Sequence, residues 1–166
     1  MRSLRAGVVA ALLGAACTPV IMKTPVSGPA SSVSRLVGDW QGQYTSVESG
    51  RRGIISFHLK AGADTAEGDV IMQASVDADA GAPNTAPTTA IQSADQALSI
   101  RFVFVSANEV SGTLNPYRDP TCGCALTTTF RGTVKGNEIK GTFHSEGNGL
   151  WHMPTDGTWW VKRYKP

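Results

Sequence analysis

The stretch TFRGTVKGNEIKGTFH, residues 129–144, decides the fold of this chain, because it can be paired residue by residue as a β-hairpin. Gly136-Asn137 stands at its centre and suits a two-residue turn with positive φ. With that turn, Phe130 faces Phe143 on the inner side and His144 points outward. A slip of one residue would send both phenylalanines outward, so the hydrophobic pattern specifies the register.

The same alternation of apolar and polar residues continues over most of the chain between Leu36 and Tyr164. Such alternation is typical of antiparallel strands with one buried face. Clear inward runs are Ile55, Phe57 and Leu59; Val70, Met72, Ala74 and Val76; and Leu98, Ile100, Phe102 and Phe104. We count about eight or nine strands, the number at which a barrel interior just fills with side chains or holds one ligand. The sequence therefore predicts an all-β fold, a single antiparallel up-and-down β-barrel.

A short motif, Gly followed by Thr or Asp and then a large apolar residue, recurs along these strands. Each glycine shares the inner face with the apolar residue two positions later, and a glycine there lets a strand bend as barrel closure requires. The occurrences are Gly38-Asp39-Trp40, Gly68-Asp69-Val70, Gly112-Thr113-Leu114, Gly132-Thr133-Val134, Gly141-Thr142-Phe143 and Gly157-Thr158-Trp159. Keeping Phe104 and Gly112 on one face requires a three-residue turn, Ala107-Asn108-Glu109, with Asn108 left-handed.

The N-terminus has the pattern of an export signal. Arg2 and Arg5 precede an uninterrupted run of small and apolar residues, 6–16. That run is too short to cross a membrane as a helix. It matches the hydrophobic region of a secretory signal peptide, which we assign to residues 1–16.

The signal ends in Leu13-Gly14-Ala15-Ala16-Cys17, which resembles the lipobox of bacterial lipoproteins, with Gly14 where that family usually has Leu. The resemblance implies a diacylglycerol on Cys17, which becomes the mature N-terminus and attaches the protein to a membrane. Thr18 in place of Asp implies the outer membrane of the cell envelope, with the domain in the periplasm or at the cell surface. The alternative is ordinary cleavage after Ala16 with a free Cys17.

Residues 18–34, TPVIMKTPVSGPASSVS, contain three prolines and show no periodicity. This composition predicts a flexible tether over 17–34, followed by the barrel domain over 35–166. Without Arg2 and Arg5 the chain carries 13 basic and 13 acidic residues. That balance argues against a basic nucleic-acid-binding face.

The two ends of the domain resemble the calycin pattern of lipocalins, fatty-acid-binding proteins and avidins. The first strand opens with Gly38-Asp39-Trp40, and the last one runs from Gly157-Thr158-Trp159 to Arg163. The resemblance implies a barrel closed by Arg163 over Trp40, through a cation–π contact and bonds to open carbonyls. No ligand-binding motif of these families lies between the two ends.

The segment around Cys122 and Cys124 leaves three alternatives open. With Cys17 lipidated, these are the only other cysteines, in an oxidising compartment. They can form a strained Cys122–Cys124 disulfide at a rim turn, bind Zn or Cu(I) with His144 or His152, or remain free thiols.

No catalytic constellation and no cofactor motif are recognisable, so we expect a non-enzymatic module without a cofactor. It binds a small apolar ligand, or an envelope protein at its rim. The residues expected to line the interior, or simply to fill it, are Trp40, Tyr44, Phe57, Phe102, Phe104, Phe130, Phe143 and Trp159. The alternative function is a metal-binding or redox role centred on Cys122 and Cys124.

Overall fold

The structure is a computed structural model that describes residues 23–73, 96–119, 123–147 and 153–164. Within these ranges the chain forms one short helix, α1 (Ala30–Val33), continued by a 3-10 turn, Ser34–Leu36. No helix in these ranges is long and apolar enough to cross a membrane. The strands are β1 (Lys23–Ser27), β2 (Gly38–Thr45), β3 (Arg52–Leu59), β4 (Thr65–Gln73), β5 (Gln96–Leu98), β6 (Ile100–Ser106), β7 (Glu109–Leu114), β8 (Tyr117–Arg118), β9 (Ala125–Lys135), β10 (Glu138–Gly147) and β11 (Thr155–Tyr164).

The strands close into a β-barrel, which confirms the predicted all-β fold. From β2 to β11 the chain follows an antiparallel meander. Strands β5 and β6 follow each other directly in the chain, and β5 pairs with β4 while β6 pairs with β7. The short strand β8 pairs with β9. β11 then pairs with β2, so the last strand of the meander meets the first. Nine of the described strands form the closed ring.

Strand β1 completes the ring between β4 and β6. It is antiparallel to β4, with Pro25 opposite Thr65, and parallel to β6, with Val26 opposite Val103. The barrel is therefore mixed, not purely antiparallel as expected. Thr24 and Val26 point inward and are nearly inaccessible, at 6% and 5% exposed.

This strand corrects the predicted flexible tether over 17–34 and the domain start at residue 35. Residues 23–27 are part of the barrel wall, and residues 30–36 fold against it. Pro25 breaks the usual signature of a strand, and only two inward residues reveal the alternation. The rest of the expected tether, residues 17–22, lies outside the described residues.

The hairpin of β9 and β10 has the register expected from the sequence. Phe130 is opposite Phe143, and Val134 is opposite Ile139 on the same inner face. Gly136 has the positive φ that the turn requires. His144 lies opposite Thr129 on the outer face, as predicted.

The predicted inward face of β6 is wrong beyond Ile100. A register shift between Ile100 and Phe102 adds one residue, and it turns Phe102 and Phe104 outward, at 42% and 45% exposed. Val103 and Val105 occupy the interior instead. The following turn has two residues, not three, because Ser106 pairs directly with Glu109. The left-handed position in it belongs to Ala107, not to Asn108.

The inward glycines make room for aromatic rings. A Cβ atom on Gly132 or Gly141 would come within 2.6 Å of the Trp159 ring. One on Gly157 would come within 2.2 Å of the Phe143 ring. Glycines of the recurring motif therefore stand where a neighbouring aromatic ring leaves no room for a side chain.

One end of the barrel, here called the base, is closed by Arg163 and Trp40. The guanidinium carbon of Arg163 lies 4.3 Å from the Trp40 ring centroid, so the predicted contact is present. Arg163 also donates hydrogen bonds to the carbonyls of Val37 and Arg35, the latter at 2.8 Å. Trp40 is fully buried and donates from Nε1 to the Leu36 carbonyl at 2.8 Å. These contacts fix the α1 and 3-10 segment beneath the barrel.

A candidate ligand cavity inside the barrel

The barrel interior is not completely filled. It contains a cavity of about 160 Å³ with a mostly apolar wall. Tyr44, Ile55, Ile100 and Phe130 pack against both of the hydrophobic clusters that make up the core. The cavity therefore lies between a larger cluster near the base and a smaller one that includes Met72 and Leu98.

Five of the eight aromatic residues expected in the interior line this cavity. They are Tyr44, Phe57, Phe130, Phe143 and Trp159. Their rings pack edge to face in two pairs, Tyr44 with Phe143 and Phe130 with Trp159. Trp40 is buried at the base, stacked on Phe57, and Phe102 and Phe104 lie on the outer surface.

Polar side chains line the cavity toward the end opposite the base, here called the upper end. Arg51, just before β3, forms an ion pair with Asp119, just after β8, at 2.6 Å. Both side chains are only 11% exposed, so the pair is largely shielded from solvent. It ties the turn between β2 and β3 to the segment between β8 and β9.

Three hydroxyls form a chain next to this ion pair. Thr128 and Ser145 face each other across β9 and β10, with their oxygens 2.7 Å apart, and both are buried. The Tyr117 hydroxyl lies 3.2 Å from the Thr128 hydroxyl. Each hydroxyl of this chain therefore has a partner within it.

The Tyr44 hydroxyl differs from these three. Its oxygen is shielded from solvent and has no hydrogen-bond partner among the described residues. Burial raises the pKa of Tyr44 well above its ordinary value, Tyr117 raises it further, and Arg51 lowers it. The hydroxyl therefore stays protonated and is able to donate a hydrogen bond.

The polar group at the upper end was only partly visible in the sequence. Tyr44 was expected to face the interior, and Thr128 shares the inward phase of Phe130. The Arg51–Asp119 pair joins residues 68 positions apart, and no local pattern indicates such a contact.

The predicted metal ligands are not brought together in the part of the chain that the structure describes. Cys124 is disulfide-bonded, and its partner lies outside the described residues. Cys122 and His152 also lie outside them. His144 is on the outer face of the barrel. Within the described ranges no group of three or more His, Cys, Asp or Glu side chains is placed to hold a metal ion.

Cys124 belongs to a tight segment at the upper end. Gly123 has a positive φ and donates from its backbone to the Asp119 carbonyl at 2.7 Å. The Asp119 amide donates in return to the Cys124 carbonyl at 2.9 Å. The Cys122–Cys124 disulfide itself stays a prediction, since Cys122 is not among the described residues.

His144 forms a separate ionic cluster on the outer surface. Its Nδ1 lies 2.8 Å from a carboxylate oxygen of Asp156, and its Nε2 lies 3.2 Å from one of Glu146. The hydrogen bond to Asp156 raises the pKa of His144, and the bond to Glu146 adds to the effect. The cluster is exposed and lies on the outer face of the barrel.

Comparisons of the chain with protein-family models, curated proteins and solved structures found no match.

Proposed function

We propose that this barrel binds a small, mainly apolar molecule in its interior. The proposal rests on the cavity of about 160 Å³ that is lined by mostly apolar side chains. An apolar cavity of roughly 150 Å³ in another protein stays dry and takes up benzene or xenon. A cavity of this size therefore fits a molecule with about one six-membered ring.

We also propose that the barrel is held at a membrane of the cell envelope by a lipid on Cys17. The support is the lipobox-like string Leu13-Gly14-Ala15-Ala16-Cys17. Because β1 begins at Lys23, only five residues separate it from Cys17, and the chain from Cys17 to Lys23 spans at most about 22 Å. In this proposal the barrel stays close to the membrane, since the intervening chain is short.

Toluene tests the ligand-binding proposal. Calorimetric titration of the full chain is expected to show saturable binding of one toluene. Ile55→Phe adds volume at the cavity wall and is expected to abolish this binding. Ile54→Phe makes the same change at a neighbouring residue that is 50% exposed, so this control should bind toluene like the unchanged protein.

Two results would contradict the proposal. One is failure of the unchanged protein to bind toluene. The other is equal toluene binding by the folded Ile55→Phe variant, which would place the binding outside the cavity.

Mass spectrometry of the mature N-terminus tests the anchor. The protein recovered from bacterial membranes is expected to begin at Cys17 and to carry acyl mass there, and Cys17→Ser should block this processing. A mature protein that begins at an unmodified Cys17 and partitions into water would contradict the anchor. The ligand-binding proposal does not depend on this result.

A further inference from the structure

The polar side chains at the upper end indicate the chemistry of the ligand, because some of their hydroxyls already have hydrogen-bond partners and one does not. The hydroxyls of Thr128 and Ser145 bond to each other, and Tyr117 bonds to Thr128. Among the hydroxyls of this polar cluster, only that of Tyr44 is buried without a hydrogen-bond partner in the described part of the chain. Arg51 Nε also makes no hydrogen bond there, but the Arg51 guanidinium is ion-paired with Asp119 through another nitrogen.

We infer that the ligand is an uncharged molecule with an apolar body and one oxygen that accepts a hydrogen bond from the Tyr44 hydroxyl. This inference rests on the proposed ligand-binding function and specifies the chemistry of the ligand. Buried polar groups in folded proteins almost always have a partner, so a shielded hydroxyl without one is available to a polar group of a ligand. A ketone, ether or ester oxygen meets this requirement.

The protonation of Tyr44 allows its hydroxyl to be the donor in this hydrogen bond. The hydroxyl is neutral in the folded protein, so it has one proton to donate. Ring packing on Phe143, with centroids 5.7 Å apart, and contact with Gly53 hold the Tyr44 ring in place. The donor is therefore positioned before the ligand arrives, and little conformational freedom is lost on binding.

The electrostatic balance of the upper end favours an uncharged ligand. Arg51 and Asp119 neutralise each other at 2.6 Å within the lining. A carboxylate on the ligand would have to share Arg51 with Asp119, and an ammonium group would have to share Asp119 with Arg51. Leaving a charge unpaired in a mostly apolar cavity carries a large desolvation cost. A single neutral acceptor avoids that cost.

The test compares acetophenone with ethylbenzene, which is nearly the same size and lacks the oxygen. In calorimetric titrations of the full chain, Tyr44→Phe is expected to weaken acetophenone binding about fivefold, the effect of one net hydrogen bond. Its effect on ethylbenzene binding should stay below about twofold. Tyr164→Phe makes the same chemical change on an exposed residue of β11 and should leave both affinities unchanged.

Benzoate tests the charge requirement, since it resembles acetophenone but carries a carboxylate. It is expected to bind the unchanged protein at least about tenfold more weakly than acetophenone. The stability of ligand-free Tyr44→Phe provides a further readout. It should not fall below that of the unchanged protein, because no hydrogen bond is lost.

Three outcomes would overturn the inference while leaving the ligand-binding proposal intact. They are an equal effect of Tyr44→Phe on both probes, stronger binding of benzoate than of acetophenone, and a ligand-free Tyr44→Phe variant that is destabilised. Failure of the unchanged protein to bind acetophenone, ethylbenzene and toluene would overturn both the inference and the proposed function.

Discussion

At the scale of single residues, Arg163 connects the last strand of the barrel to the chain beneath its base. Its guanidinium lies over Trp40 and donates to the carbonyls of Val37 and Arg35 and to the Asn137 side chain. Lys could not reproduce this arrangement, because the planar guanidinium both stacks and directs several donors. The contribution of the guanidinium to the free energy of unfolding can be measured with a substitution that removes this group and keeps the rest of the side chain.

Arg163→Met keeps the apolar stem and removes the guanidinium. We expect a loss of about 2–3 kcal/mol in the free energy of unfolding, since hydrogen bonds and a cation–π contact are lost together. Lys162→Met is the matched control, because Lys162 is 65% exposed and lies 5.7 Å from the Trp160 ring. The control should change stability by less than about 0.5 kcal/mol. Equal losses in the two variants, measured by urea unfolding, would contradict a special role for Arg163.

His144 gives the barrel a pH-dependent contribution to stability. Its pKa is raised in the folded protein, first by the hydrogen bond to Asp156 and then by Glu146. A raised pKa means that protonated His144 stabilises the fold fully below its unfolded pKa, near 6.5. The contribution is lost as the pH rises through the folded pKa. His144→Gln should therefore lower the urea midpoint more at pH 5.5 than at pH 8.

The same measurements provide the check on the His144 cluster. The difference between the two proteins at pH 8 serves as the internal control, because less of His144 is protonated there than at pH 5.5. The effect at pH 5.5 should be small, since the cluster is exposed to solvent. A difference that does not vary with pH would show that protonation of His144 has no part in stability.

At the residue scale, the sequence predicted one long-range contact, that between Trp40 and Arg163. Trp40 and Arg163 were found through a resemblance at the two ends of the domain, and the structure places them in contact. The partners of Arg51 could not be found in this way. Asp119 is brought to it only by the closed topology, which places the start of β3 near the end of β8.

At the scale of secondary structure, β1 is the strand that the sequence pattern did not predict. Its inward residues are Thr24 and Val26, and Pro25 stands between them. The β9–β10 hairpin was predictable because its turn and both strand phases agree. In β6 a single added residue reversed the inward face, and the apolar residues on both faces of the strand, such as Phe104 and Val105, hid that reversal.

Val26→Asp tests whether β1 is a working part of the barrel wall. The substitution places an unpaired carboxylate at a position that is 5% exposed, which should destabilise the fold by about 3–5 kcal/mol. Ser27→Asp makes the same change one residue later, at an exposed position, and should have little effect. Urea unfolding of the full chain measures both. Equal stability of the two variants would show that β1 is not packed into the barrel.

At the scale of the whole molecule, the fold class was predictable because alternation repeats over many strands and each glycine motif keeps the same phase. The mixed character of the barrel was not, since it depends on β1 joining β4 and β6. The cavity was not predictable either. The sequence allows the inward aromatic side chains to fill the core, and two of the eight, Phe102 and Phe104, instead lie outside. The rings of Tyr44, Phe130, Phe143 and Trp159 pack against glycines, and space remains between them.

Diffraction from crystals of the full chain under xenon pressure shows directly whether the barrel contains a cavity that admits a small apolar molecule. Xenon occupies apolar cavities of about this size. We expect anomalous density for xenon inside the barrel, between Ile55, Ile100 and Phe130. Crystals with xenon only at outer surfaces, or with an interior filled by repacked side chains, would contradict it.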